Sequence, residues 1–476
     1  MKLVEMFKYS IGPVGAALLS LFTIPIMAWV FNAEDIGKYN LYIVSTSFAM
    51  MFLTMGLHQS LVREFNESVN IESLLKSIFV PILILQISSN FIFFLLYCSD
   101  FDLSFILFGT VDLQLSLLIS TSFFIITFNC IISHLVRMQE RPLLFSFIQF
   151  APKATLFILI AISYAYNGDL DYKYLVFSYL SSILCVFIGL VLFYKRLLIR
   201  VIFSEFNKEI MAKCLRFATP LMFGGVAYWS MTAIDRALLR YFSGFSELGV
   251  YALSISLASF TTIFTAVFSS IWHPIVYKWG VGKKSIVKVQ AVTDYLFLFV
   301  IFIWSLGVIT SIFLPFLFPA EFSDIQFLFV ACLAMPLLFL LSEATVVGIG
   351  LSKRTIFSMY TSLIGFAINI VLNLVLIPVI NAKGAAIASC ISFFIFFILR
   401  TEFSCIAWYS LKRIKMYSFI TLYIVFTVIY ILFENVSSII ITSWFILLLL
   451  CCFFYRERLF ELKAMILIKI NRKIGG

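Results

Sequence analysis

Asp35-Ile36-Gly37-Lys38-Tyr39-Asn40-Leu41 returns 212 residues later as Glu247-Leu248-Gly249-Val250-Tyr251-Ala252-Leu253. His58 with Arg63 matches His273 with Lys278 at an offset of 215, and Arg141-Pro142-Leu143-Leu144-Phe145-Ser146 parallels Lys353-Arg354-Thr355-Ile356-Phe357-Ser358 at 212. Three matches in one order and at nearly one offset define an internal duplication. Gly37 and Gly249 read as tight turns with positive φ between one apolar run and the next. Tyr39 and Tyr251 then lie at a headgroup boundary, where an amphipathic ring is favoured.

Outward from these motifs the chain is apolar almost throughout. Of its 476 residues 62% are hydrophobic and 12% charged, and the mean hydropathy is +1.07. A soluble domain carries about 25% charged residues, so this chain cannot clothe itself in a water-compatible surface. Its apolar runs are continuous and long enough to cross about 30 Å of hydrocarbon as helices. Backbone that must satisfy its own hydrogen bonds in lipid leaves helices or closed barrels, and runs without alternation favour helices. Spans are predicted near 10–30, 39–57, 74–97, 113–135, 143–165 and 174–194, then 216–240, 249–272, 290–314, 325–349, 355–379, 384–406, 416–433 and 437–455. The fold expected is an all-α integral membrane protein of fourteen transmembrane helices. Residues 1–200 form one six-helix lobe, 201–410 a second, and 411–476 two further helices with a basic cytoplasmic tail. An even number of spans per repeat makes the two lobes parallel copies, related by an axis along the membrane normal.

Charge orients the spans. Of 34 Lys and Arg, Lys38, Lys173, Arg240 and Lys383 fall on one side, Lys153 and Arg236 fall within spans, and the other 28 fall on the opposite side. That asymmetry makes the basic side cytoplasmic, with both termini inside. The net charge of +10 is then explained by orientation and anionic headgroups, with no nucleic-acid partner. The nine cysteines lack metal-ligand spacing, so no metal is expected. No GxxxxGK[ST] nucleotide motif occurs, no cofactor is implied, and the short exterior loops leave no room for a catalytic domain.

Function must therefore reside in polar groups within the membrane, which are costly there and usually face a bundle interior or watery cavity. Lys153 lies about 15 Å into its span, beside Pro152, either as a cavity-lining cation or as a lysine paired for stability. Asp235 and Arg236 are sequence neighbours that point about 100° apart and cannot form a simple pair, so at least one seeks a partner elsewhere, on another helix or in a ligand. Glu343 is a candidate for ion coupling or a charge pair. His58, Arg63, His134 and Arg137 cluster at cytoplasmic span ends and suit a pyrophosphate, although a helix-end arginine also suits lipid phosphate.

The Asp35-Ile36-Gly37-Lys38-Tyr39 turn, Gly56-Leu57 followed by Arg63, Pro220 ahead of Asp235-Arg236, and Leu248-Gly249-Val250-Tyr251 together resemble polysaccharide biosynthesis proteins of the Wzx O-antigen flippase type. These belong to the superfamily that includes multidrug/toxin extrusion antiporters and the lipid II flippase. The resemblance implies two six-helix lobes around a cationic cavity and a non-enzymatic function in the bacterial inner membrane. Its cargo would be an undecaprenyl-pyrophosphate-linked oligosaccharide, its surroundings membrane lipids and other polysaccharide-assembly membrane proteins. Lys153, Asp235 and Arg236 fit the embedded charges important in that family. The first span has no basic residue, unlike the lipid II branch. A multidrug antiporter is the main alternative, and a membrane glycan polymerase or ligase a more distant one.

Overall fold

A computed structural model describes residues 3–68, 70–98, 102–166, 170–279, 282–352, 354, 356–433 and 437–461. Lys353 and Thr355 of the third repeat match, and the tail from 462, lie outside the described residues. Among the described residues there is no strand. The helices are α1 (Leu3–Val30), α2 (Ala33–Leu53), α3 (Leu57–Glu64), α4 (Ile71–Tyr97), α5 (Leu103–Phe108), α6 (Leu113–Met138), α7 (Pro142–Tyr166), α8 (Tyr172–Phe193) and α9 (Lys195–Phe203). There follow α10 (Lys208–Ala258), α11 (Thr262–Trp279), α12 (Lys283–Leu317), α13 (Ile325–Cys332), α14 (Ala334–Thr345), α15 (Val347–Leu351), α16 (Ile356–Ala407), α17 (Ile414–Leu432) and α18 (Ser437–Phe454).

Among the described residues ten helices are long and apolar enough to cross a membrane, or eleven when the bent pair α2–α3 is one span. Two of the helices contain non-helical breaks, α10 at Gly244 and α16 at Ile380 and Asn381. With each half of α10 and α16 taken separately, and the shorter apolar stretch Ile439–Phe454 added, the range is about ten to fourteen. Large apolar side chains such as Phe316 (81% exposed) and Val379 (77%) project outward, the pattern expected where lipid replaces water. Short polar side chains set the helix starts. Asn32, Asn70, Asp102 and Asp112 each accept a backbone N–H from three residues on, at 2.7–3.2 Å, satisfying donors that the first helical turn leaves free.

The chain divides into two compact units, Met1–Ala252 and Leu253–Gly476, whereas the six-plus-six reading puts its boundary near residue 200. Within the first unit α10 packs on α2 and α3. Ser60 Oγ donates to the Cys214 carbonyl at 2.8 Å, and Lys213 pairs with Glu64.

The turn reading of the duplicated motif is corrected here. Gly37 and Gly249 both lie inside helices, and among the described residues the glycines with positive φ are Gly56, Gly109 and Gly244. The two motif copies pack on each other: a Cβ on Gly37 would strike the Phe245 carbonyl, and one on Gly249 the Ala33 carbonyl. Glycine is needed for backbone approach between helices, the role small residues play in membrane packing. Tyr39 and Tyr251 are likewise buried in protein and are not placed as lipid-boundary rings. Tyr251 donates its hydroxyl to Asp235.

Candidate substrate cavity

Lys153 stands on α7 immediately after Pro152. Proline has no N–H to give the preceding turn, which loosens the helix at that level. The Lys153 side chain opens into a cavity of about 400 Å³, formed by α2, α6, α7 and α8 and lined also by Asn129, His134, Gln149 and Tyr179. No carboxylate lines it, and Lys153 makes no hydrogen bond or ion pair with a described residue. Asn129 donates to the Ile183 carbonyl at 3.0 Å, leaving its own oxygen buried and unpartnered.

His134 links this cavity to His58. Their ring centroids lie 4.9 Å apart, His134 Nδ1 lies 2.8 Å from the Cys130 carbonyl, and His58 Nδ1 is buried without a partner. With the Nδ1 proton committed to that carbonyl, the neutral ring of His134 presents Nε2 as an acceptor. Arg63 lies elsewhere. With Lys213, Arg216 and Phe217 it lines a separate opening of about 580 Å³, its guanidinium 4.4 Å from the Phe217 ring centroid and 3.7 Å from Glu64.

Asp235 and Arg236 do not pair through their side chains. Asp235 is buried and takes the Arg236 backbone N–H at 2.8 Å along with the Tyr251 hydroxyl. It thereby ties together the parts of α10 on either side of Gly244. Arg236 Nε is buried with no partner, and Arg236 lines neither opening.

Glu343 belongs to the second unit and sits in a closed network. One carboxylate oxygen lies 2.9 Å from Arg400 Nη1. The other lies 2.9 Å from His273 Nε2 and accepts Ser269 Oγ at 3.1 Å. Arg400 also donates to Ser342 Oγ at 2.5 Å, and its guanidinium stacks 5.1 Å from Phe339 and 5.4 Å from Phe396. Sequence reasoning missed Arg400, which it grouped with the cytoplasmic basic residues. The arginine lies inside α16, with its side chain 14% exposed. Its signal was available: an embedded glutamate demands a cation, and Arg400 interrupts the apolar stretch from Ile391 to Leu399. Lys213 and Arg216 were also missed as companions of Arg63.

His58 and His273 are matched positions in the duplication. One faces His134 and the other faces Glu343, so the matched histidines have different partners.

The helices and the outward apolar side chains define an all-α multi-pass membrane protein. Residues 5–279 match the family described as polysaccharide biosynthesis protein, and the chain belongs to that family. No curated protein matches it. The fold is similar to that of "Lipid II flippase MurJ, inward closed conformation", at a TM-score of 0.69 and 15% identity over 94% of this chain and 99% of that one. It is also similar to an inward-facing "multidrug resistance MATE family transporter of the MOP superfamily", at 0.56 and 14% identity over 83% and 94%.

Proposed function

We propose that the protein is a flippase that moves an undecaprenyl-pyrophosphate-linked oligosaccharide, an O-antigen or similar repeat unit, from the cytoplasmic to the periplasmic leaflet of the bacterial inner membrane. The observation that carries this reading is Lys153, a cation without a described partner on an apolar helix, facing a cavity with amide and imidazole groups and no carboxylate. An unpaired charge at membrane depth is expensive unless water or a counter-ion joins it, and a transported pyrophosphate is such a counter-ion. Each polar group dragged bare through hydrocarbon costs several kcal/mol, so a hydrated cationic path lowers the barrier while the polyprenyl tail stays in lipid.

In this reading Lys153, Arg236 and His58 meet the pyrophosphate along the path, and Arg63 meets it at the cytoplasmic mouth with Arg216 beside it. Asp235 fixes the two sides of α10, and Glu343 serves ion coupling or a charge pair. Fourteen spans with both termini cytoplasmic, divided 1–200, 201–410 and 411–476, complete the topology, and alternating access comes from rocking one lobe against the other. A cavity without carboxylates fits an anionic cargo better than the cationic substrate of a drug antiporter, and the path needs no bond-making chemistry. Other polysaccharide-assembly membrane proteins are the expected partners.

Deleting the gene tests this. The lipid-linked repeat unit should accumulate on the cytoplasmic leaflet with its covalent structure intact. Loss of surface glycan with no such accumulation would overturn the proposal.

A further inference from the structure

A third opening in the first unit lies away from Lys153 and from Arg63. It is a groove of about 430 Å³ formed by α4, α6 and α9, walled by Phe79, Leu83, Phe124, Phe128, Val201 and Ile202. Lys76 and Gln86 line it ten residues apart on α4, which is about 15 Å at 1.5 Å per residue. That length is half of a hydrocarbon core of about 30 Å, so the groove has the depth of one leaflet.

Its two ends differ. Gln86 is buried, donates to Asn90 Oδ1 at 3.2 Å and is the lining residue of α4 farthest from Lys76. At the other end Lys76 Nζ donates to the carbonyls of Ile202 at 2.7 Å and Ser204 at 2.6 Å, which fixes the C-terminus of α9 there. That helix, Lys-Arg-Leu-Leu-Ile-Arg-Val-Ile-Phe, is amphipathic. Ile202 is 67% and Phe203 83% exposed, as in a helix that lies in the plane of a membrane surface. Arg200 is engaged by Glu72 at 3.3 Å. Lys195 and Arg196 are exposed and have no ion pair with a described residue.

We propose that this groove holds one acyl chain of a resident anionic glycerophospholipid, with its phosphate held near the basic face of α9 by Lys195 and Arg196. Lys195, three residues before the lining residue Leu198 on α9, and Arg196 select an anionic headgroup, and the one-leaflet depth selects an ordinary acyl chain. A polyprenyl chain many isoprene units long would overrun the length from Lys76 to Gln86. The inference does not depend on what the protein transports. Only the assignment of the groove to the cytoplasmic leaflet rests on the topology proposed above.

The full-length protein in nanodiscs tests it, with trace phosphatidylglycerol or phosphatidylcholine carrying a diazirine in one acyl chain. After irradiation, adducts are mapped by peptide mass spectrometry. Adducts should concentrate on α4, α6 and α9, with phosphatidylglycerol favoured by about fivefold for each basic residue facing the headgroup. Leu83→Trp should fill the groove and remove those adducts while labelling on the outward face near Val379 is unchanged, which also reports that the variant is folded. Lys195→Gln with Arg196→Gln should abolish the preference for phosphatidylglycerol and leave phosphatidylcholine labelling intact. Labelling no denser in the groove than near Val379, or insensitive to Leu83→Trp, would overturn the proposal. So would displacement of the phospholipid adducts by equimolar polyprenyl phosphate, which would assign the groove to a transported lipid.

Discussion

Arg400 and Glu343 permit a prediction whose size follows from the structure. The pair is made inside the protein, at 2.9 Å, with side chains 14% and 9% exposed. Removing one member of such a pair strands the other charge, at a cost of about 3–5 kcal/mol. Arg400→Met keeps apolar contact with Phe339 and Phe396 but leaves Glu343 with Ser269 and His273 alone. Those remaining partners place the loss near the lower end, about 3 kcal/mol. Glu343→Gln strands the guanidinium in the same way. The double variant strands neither and should be no less stable than either single variant, a coupling of about 3 kcal/mol, at the top of the range for residues in one network. Unfolding of the four proteins in one detergent, read as a double-mutant cycle, measures this. Losses that simply add would show that the charges do not depend on each other and would refute the closed network. If Glu343→Gln paired with Arg400→Met is stable yet inactive in glycan export, Glu343 has a role in coupling beyond packing.

Gly249→Val should oppose the crossing of the two motif copies at the Ala33 carbonyl, with a cost of about 1–3 kcal/mol for overpacking; wild-type thermal stability in this variant would contradict the packing account. Lys153→Ala and Arg236→Ala should each lower surface glycan at matched protein abundance. Arg236→Lys should rescue in part, because charge survives while bidentate geometry is lost; equal activity of Arg236→Ala and wild type would remove that residue from the path. At the start of α6, the Lys173 ammonium 2.7 Å away holds the Asp112 carboxyl below its ordinary value of 3.8. A depressed carboxylate pKa stabilises the fold above 3.8, and that contribution fades as pH falls through the lower folded value. Asp112→Asn should therefore flatten the acid limb of the stability profile, and an unchanged limb would rule this pair out as its source.

The membrane class was legible because lipid imposes a demand that every apolar run states locally: about twenty residues without charge. The duplication was legible because its copies share residues in order. The role of its glycines was not, since Gly37 has the same one-letter identity in a turn and at a helix crossing. Only the approach of Phe245 and Ala33, more than 200 residues from their contacts in sequence, distinguishes the two. The candidate cations show the same limit. Lys153 was identifiable from depth, and its cavity follows from packing of four helices. Glu343 was identifiable too, but its partners lie on other helices, 70 residues away at His273 and on α16 at Arg400. A basic residue near a span end reads as a lipid anchor until the acid that holds it is in view.

The proposed function requires the protein to relocate a glycolipid without altering it. Purified protein in liposomes, loaded with an undecaprenyl-pyrophosphate-linked repeat unit in the inner leaflet, measures this through an external enzyme that cleaves exposed sugar. The sugar should become accessible with wild-type protein, Lys153→Ala should slow its appearance, and the glycolipid should keep its mass when the external enzyme is omitted. A longer or transferred glycan made by the protein alone would contradict the account, as would movement of a quaternary-ammonium dye with the glycolipid left in place.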